Sequence, residues 1–424
     1  MGGPRLPGAP AGDDERIVAH VDVDCFYAAC ERLREPALEG EPVVVGMGFE
    51  AGETHGAVAT ASYEAREYGV ESAMAISEAL ERLPRKVDAA ADPDRSVADA
   101  GHYRPVDMEY YEAIAAAVKE VLADRADVVR EVSIDEAYLD VTERVDWADA
   151  RAWADDLKAA VEREAGVVAS VGVAPTMSAA KVASDHDKPD GLVVVEPGEV
   201  RAFFAPLPVE AVHGVGPVTA AELGDLGVET AGDLAAADPG TLEARFGERG
   251  LAIRRHARGE DDREVTPRGR PKSLSRESAF PEATGDHDEV RERARTLAGA
   301  VADRARSKGA LYQTIGVKAV TPPFDVNTRA RSLPGPVDDP DLVEDVALDL
   351  LGEFADRRVR KVGVRVSNLS FSGGEQASLE GFEDESGAGD DASSGTDAAD
   401  PDGDSPERDA GDDGRRGQAT LGDF

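Results

Sequence analysis

The chain has 424 residues, with 86 Asp and Glu against 47 Lys and Arg, for a formal net charge of −39. That length is too great for one ordinary core and points to several domains. Two cysteines, Cys25 and Cys30, exclude a disulfide framework or a cysteine zinc site, and no apolar run reaches the roughly 18 residues of a membrane span.

Only nine of the basic residues are Lys; 38 are Arg. An acidic, Lys-poor surface suits molar salt, where the Debye length falls to about 3 Å and self-repulsion is screened. The composition therefore reads as that of a halophile's cytosolic protein. Net charge then says little about partners, and local charge says more.

Residues 1–15 are rich in Gly, Pro and Ala without the apolar stretch of a signal peptide, which predicts a flexible extension. Ile17, Ala19, Val21 and Val23 alternate with Val18, His20, Asp22 and Asp24. That predicts a strand buried on one side with acids on the other. A helix follows over Phe26–Arg34, then strands over Glu41–Val45 and Ala57–Ala61. Asp92–Gly101 reads as an inserted acidic loop, and Tyr103–Leu122 as a helix. Val128–Ile134 and Ala137–Val141 flank the acidic pair Asp135-Glu136, an arrangement that suits a hairpin. A helix over Asp149–Glu164 and strands over Val167–Val173 and Leu192–Val195 complete an α+β core. Residues 196–262 are helical, with Gly turns at His213-Gly214-Val215-Gly216 and Leu226-Gly227-Val228. After a basic linker over 263–271, strands and helices alternate from Lys272 to Phe371. The remainder is too poor in apolar residues to offset its ordering entropy, which predicts disorder.

Charge is unevenly spread. Residues 263–371 carry 19 basic and 17 acidic side chains, whereas residues 1–262 carry 25 and 53. The linker and the domain after it are where basic charge has been kept, and where phosphate contacts are expected.

Two segments carry the chemistry, His20-Val21-Asp22-Val23-Asp24-Cys25-Phe26-Tyr27 and Ser133-Ile134-Asp135-Glu136-Ala137-Tyr138-Leu139-Asp140. Adjacent residues of a straight strand face opposite ways, so Asp135 and Glu136 need a turn or bulge to serve one site. With Asp22 they offer three carboxylates, a set suited to two Mg²⁺ ions in nucleotidyl transfer.

The first segment resembles the opening motif of the Y-family translesion DNA polymerases, and the second resembles their catalytic motif. Ala57-Val58-Ala59-Thr60-Ala61-Ser62-Tyr63-Glu64-Ala65-Arg66 resembles the family's finger motif. Ser170-Val171-Gly172-Val173-Ala174, Lys181 and Lys188-Pro189-Asp190-Gly191 resemble the segment closing the palm. Val173–Ser178 and the Asp92–Gly101 insertion depart from the usual pattern. The likeness runs collinearly from about Ile17 to Phe371.

The resemblance implies an α+β multidomain right hand. A ferredoxin-like palm would span 17–25 and 92–195, small fingers 26–91, and a helical thumb with a helix-hairpin-helix 196–262. The linker would cover 263–271 and an α/β little finger 272–371. Residues 1–16 would be an extension, 372–417 a disordered tail and 418–424 a clamp-binding peptide. The implied metal ligands, for two Mg²⁺, are Asp22, Asp135, Glu136 and the Val23 carbonyl, with Glu136 also the catalytic acid. Tyr27 would be the steric gate against a 2′-hydroxyl. Phe26, Tyr63, Arg66 and Lys188 would hold the incoming deoxynucleoside triphosphate. Primer–template DNA would be gripped by Gly214, Val215 and Gly216 of the thumb and by Lys272, Ser273, Arg276, Arg329 and Arg331. Gln418, Leu421 and Phe424 would dock on a sliding clamp. The implied activity is template-directed, error-prone translesion synthesis without proofreading, by a cytoplasmic monomer with no membrane contact. The rival expectation, an inactive DNA-bound adaptor of the same family, is disfavoured because all three carboxylates are present.

Overall fold

The computed structural model describes residues 16–371; the N-terminal extension, the acidic tail and the clamp peptide lie outside them. The chain divides into two compact units. One holds the residues up to Pro271 together with Ser278–Ala283; the other holds Lys272–Glu277 and the chain from Thr284.

The first unit runs β1 (Val18–Val23), α1 (Phe26–Arg34), β2 (Val43–Met47) and β3 (Ala57–Ala61), followed by short helices α2 (Tyr63–Arg66), α3 (Ile76–Arg82) and α4 (Lys86–Ala91). Next come β4 (His102–Pro105), α5 (Met108–Arg125), β5 (Val128–Glu131), β6 (Glu136–Asp140), α6 (Ala150–Ala165), β7 (Ala169–Ala174), α7 (Met177–His186) and β8 (Leu192–Val194). Helices α8 (Val200–Phe204), α9 (Pro217–Gly224), α10 (Ala231–Ala236), α11 (Pro239–Phe246) and α12 (Glu248–Ala257) finish it.

A five-stranded sheet in the order β5-β6-β1-β7-β8 puts β1 at its centre. The expected strand is therefore buried on both faces, not one. Ile17, Ala19, Val21 and Val23 pack with Tyr111 of α5 and Leu157 of α6. Val18, on the other face, packs with Ala180 and Ala183 of α7. Gly172 of β7 makes this second layer possible: a Cβ there would lie 2.2 Å from both Ala180 O and Ser184 N. Only a residue without a side chain lets α7 lie so close to the sheet.

A three-stranded sheet, β3-β2-β4, forms a second layer of the first unit. It corrects the helix expected from Tyr103. Residues 102–105 form a strand parallel to β2, with His102 opposite Val43. The helix starts only where the Asp107 side chain accepts the Tyr110 N–H as its cap. β4 thus joins the sheet of β2 and β3, two strands of the expected 26–91 segment.

α13 (His287–Ser307), β10 (Ala310–Thr321), β11 (Asp325–Val337), α14 (Pro340–Leu351) and β12 (Val359–Phe371) of the second unit, with β9 (Ser273–Thr284), whose residues 278–283 are counted in the first, form a four-stranded sheet, in the order β11-β10-β12-β9, with two helices. Among the described residues no helix is long and apolar enough to cross a membrane.

Candidate active site

Asp22 and Glu136 face each other across the antiparallel pair β1–β6. Asp135 precedes β6 in the tight turn from β5, and its carbonyl accepts the Val23 N–H at 3.0 Å. Ser133 shapes that turn: its hydroxyl donates to Asp135 Oδ1 at 2.6 Å and accepts the Glu136 N–H at 3.1 Å. The adjacent acids thus leave the alternation of a straight strand, as expected for them to serve one site.

Two lysines hold the cluster. Lys181 Nζ lies 2.9 Å from Asp22 Oδ2 and 2.9 Å from Glu136 Oε2. Lys188 Nζ lies 2.7 Å from Asp22 Oδ2 and 2.8 Å from Asp185 Oδ1. Burial raises the pKa of Asp22, but Lys181 and Lys188 outweigh it and hold the carboxyl below its ordinary range. Burial likewise opposes ionisation of Glu136, and His20 and Lys181 overcome it. Among the described residues Asp135 has no such cationic partner. Burial pushes it up to about 6, against the Ser133 hydrogen bond and with help from the charges of Asp22 and Glu136.

His20 is fully buried beside the site, its Nδ1 2.8 Å from Ser184 Oγ. Its Nε2 sits 3.4 Å from Glu136 Oε2. Ligand atoms of His20, Asp22 and Glu136 lie within 4.8 Å of one another. The oxygen-rich donor set, with two ammonium groups already balancing its charge, fits a hard divalent cation.

Tyr27 stands in the first turn of α1, just after Cys25, which turns the chain with a φ of 47°. Its ring is stacked on Tyr111, with centroids 4.7 Å apart and planes 17° from parallel. Tyr111 is fixed in turn by donating its hydroxyl to the buried Glu31 at 2.7 Å. Phe26 is buried alongside.

Tyr63 donates its hydroxyl to Asp24 Oδ1 at 3.2 Å. Asp24, outside the expected set, also accepts from Ser170 Oγ at 2.9 Å and from the Asp190 N–H at 2.8 Å. It therefore ties Tyr63 to the turn that carries Lys188. Arg66 donates Nε to Ala61 O at 3.0 Å and lies 4.8 Å from the Tyr63 ring centroid. Tyr63, Arg66 and Lys188 thus connect to the acidic cluster through named contacts.

Gly214 takes a φ of 93°, and Gly216 precedes Pro217 at the start of α9. Val215 is buried and donates its N–H to Val212 O at 2.9 Å. Ser273 and Arg276 lie on β9, and Lys272 just precedes it.

Arg329 and Arg331 do not reach the open side of their sheet. They stand opposite Val317 and Ile315, which are buried beneath the helices. Arg329 Nε pairs with Glu353 at 2.6 Å, and Arg331 pairs with Asp349 of α14. The alternation along β10 and β12 was the signal that could have predicted their direction.

Sequence reasoning also passed over Lys181 as a site residue. Its signal was a single cation inside the buried run of Met177–Ser184.

The impB/mucB/samB family model matches residues 21–185, its C-terminal domain model residues 271–379, and the IMS family HHH motif residues 197–228. The chain is 63% identical to DNA polymerase IV of Halobacterium salinarum over 91% of this chain and 93% of the relative. It is 40% identical to DNA polymerase IV of Methanoculleus marisnigri, over 87% and 98%. A Y-family DNA polymerase chimera of Dbh and Dpo4 superimposes with a TM-score of 0.72 at 30% identity, covering 84% of this chain and 99% of the chimera. An insertion ternary complex of Dbh DNA polymerase gives 0.59 at 29%, over 84% and 99%. The fold is accordingly the Y-family one, with a helix-hairpin-helix region and a C-terminal little finger. With matches along most of its length, the chain belongs to the Y family of DNA polymerases, in the DNA polymerase IV group.

Proposed function

We propose that the enzyme performs error-prone translesion synthesis, copying damaged primer–template DNA without proofreading, at the site built by Asp22, Asp135 and Glu136. The observation that carries this is the cross-strand pair Asp22–Glu136, with Asp135 in the turn just before it, its carbonyl bonded to the Val23 N–H. Bound there with the Val23 carbonyl, two Mg²⁺ ions would offset the charge of the triphosphate and of the attacking 3′-oxygen. The chain's own residues do the rest. Lys188, Arg66 and Tyr63 receive the triphosphate, Arg66 with a fork that matches phosphate oxygens. Phe26 adds its backbone N–H. Tyr27, braced by Tyr111, occupies the volume a 2′-hydroxyl would need. The primer 3′-hydroxyl attacks the α-phosphate and pyrophosphate leaves. Gly214–Gly216 at the start of α9 hold a DNA phosphate without reading sequence.

Short fingers over 26–91 leave room for a distorted template base. The 418–424 peptide tethers the enzyme to a sliding clamp, and the protein works as a cytoplasmic monomer. Primer extension by the full chain with Mg²⁺, on undamaged and abasic templates across a KCl series, tests this. Template-directed extension through the lesion is expected. DNA binding with no extension on either template would return the adaptor alternative.

A further inference from the structure

The second unit's sheet has one face under helices and one open. Ile315, Val317 and Ala319 of β10 pair with Val366, Val364 and Val362 of β12, and all six are buried on the helix side. The alternate positions face the other way: Thr314, Gly316 and Lys318 of β10, and Lys361, Gly363, Arg365 and Ser367 of β12. Thr328, Ala330 and Ser332 of β11 continue that face. These positions carry cations, hydroxyls and small residues and no acid, and Val320, opposite Lys361, adds an apolar one.

Among the described residues, the one carboxylate that reaches this face comes from β9. Glu277 Oε1 lies 3.1 Å from Lys318 Nζ, and its other oxygen pairs with Lys361. The side chain crosses β12 over Gly363, where a Cβ would lie 2.7 Å from Glu277 Cγ. Glycine at 363 thus clears the path, and the carboxylate sits between two ammonium groups at 16% exposure. Burial disfavours its charge, yet Lys361 and Lys318 hold its pKa below the ordinary value. Arg365 is exposed on the same face, with no carboxylate in ion-pair distance among the described residues.

We propose that Glu277 is the resident counterion of a DNA-backbone surface, occupying Lys318 and Lys361 in the place of phosphate, so that this face binds DNA with little dependence on salt. The proposal rests on the second unit gripping DNA. The reasoning is thermodynamic. A free cation that neutralises a phosphate releases a condensed counterion and adds about −0.9 to the slope of log K against log salt. A lysine already held by Glu277 either stays with it, adding nothing, or moves to phosphate and leaves a carboxylate that takes up a cation. Either route cancels most of the salt dependence. A grip that barely weakens as KCl rises suits a protein whose composition is adapted to high salt.

The test is fluorescence anisotropy of the full chain with a labelled primer–template duplex across a KCl series. Glu277→Gln should steepen the slope by about 1.8, the contribution of two freed lysines, and tighten binding at the lowest salt. Gly363→Ala should do the same with no change of charge, because its Cβ displaces Glu277. Replacing Lys318 and Lys361 by Ala in the Glu277→Gln background should reverse both effects. Unchanged slopes in Glu277→Gln and Gly363→Ala, with Arg365→Ala still weakening binding, would overturn the counterion role and leave the DNA grip standing. If Arg365→Ala also left binding untouched, the DNA-gripping role of this face would fall with it.

Discussion

Lys181 bridges Asp22 and Glu136 from a side chain only 25% exposed, so replacing it with Met leaves close carboxylates short of one counterion. At 2.9 Å and an effective dielectric of about 20, each contact is worth roughly 6 kcal/mol of Coulomb energy before desolvation is subtracted. Removing one partner of a buried pair costs about 3–5 kcal/mol. The lower end applies here, because Lys188 still contacts Asp22. For a unit of this size about 3 kcal/mol corresponds to roughly 6–12 °C in Tm. Divalent cations should reverse much of the loss, since a cation at about 100 times its Kd adds roughly 2.7 kcal/mol and no longer competes with an ammonium. Scanning calorimetry of Lys181→Met and wild type, with and without Mg²⁺ at fixed KCl, reads this. A lower metal-free Tm and a larger Mg²⁺-induced rise are expected. Wild-type melting with a wild-type metal response would refute the bridging role.

Tyr27→Ala should relax sugar selection by roughly 10–200-fold, the range one misfit group is worth, measured as the ratio of efficiencies for a deoxynucleotide and its ribonucleotide; an unchanged ratio would remove the gate role. Arg66→Ala should lose about 1.5–3 kcal/mol of charge-assisted contact, seen in single-turnover titrations as weaker nucleotide affinity with DNA affinity kept. Burial pushes Asp135 up to about 6 from an ordinary 3.8, so the metal-free fold keeps its proton to a higher pH than the unfolded chain does. The stability it contributes is full below the ordinary value and is lost as pH rises through about 6. A divalent cation must displace that proton, so its apparent affinity should improve about fourfold between roughly pH 5.5 and 7.5, and a flat calorimetric titration would contradict the assignment.

The acidic site was legible because its pattern is local. Apolar alternation ending at Asp22, and two apolar runs meeting at Asp135-Glu136, are visible in any sequence window. What sequence alone withheld came from packing. Lys181 reaches the carboxylates only because Gly172 lets α7 close on the sheet, a contact that no spacing within α7 reveals. Arg329 and Arg331 were expected to meet DNA because their segment resembles the family's backbone-contacting residues. Their register beside Val317 and Ile315 brings them into ion pairs with Glu353 and with Asp349 of α14, which no spacing within β11 reveals. Lys318, Lys361 and Arg365 hold the open face, and only the pairing of β10 with β12 shows which face that is. Tyr103 looked helical within its apolar run, until the pairing of β4 with β2 claimed it as strand.

The central claim is that Asp22, Asp135 and Glu136 form one nucleotidyl-transfer site. Single-turnover incorporation of one deoxynucleotide by Asp135→Asn and Glu136→Gln, beside wild type on the same primed template, tests it most directly. DNA affinity of the three proteins is measured in parallel. A loss of roughly 10³-fold or more in each variant is expected, the several kcal/mol of charge stabilisation forfeited with a metal, at unchanged DNA affinity. Incorporation by either variant within about tenfold of wild type, less than 1.4 kcal/mol of lost stabilisation, would contradict the claim.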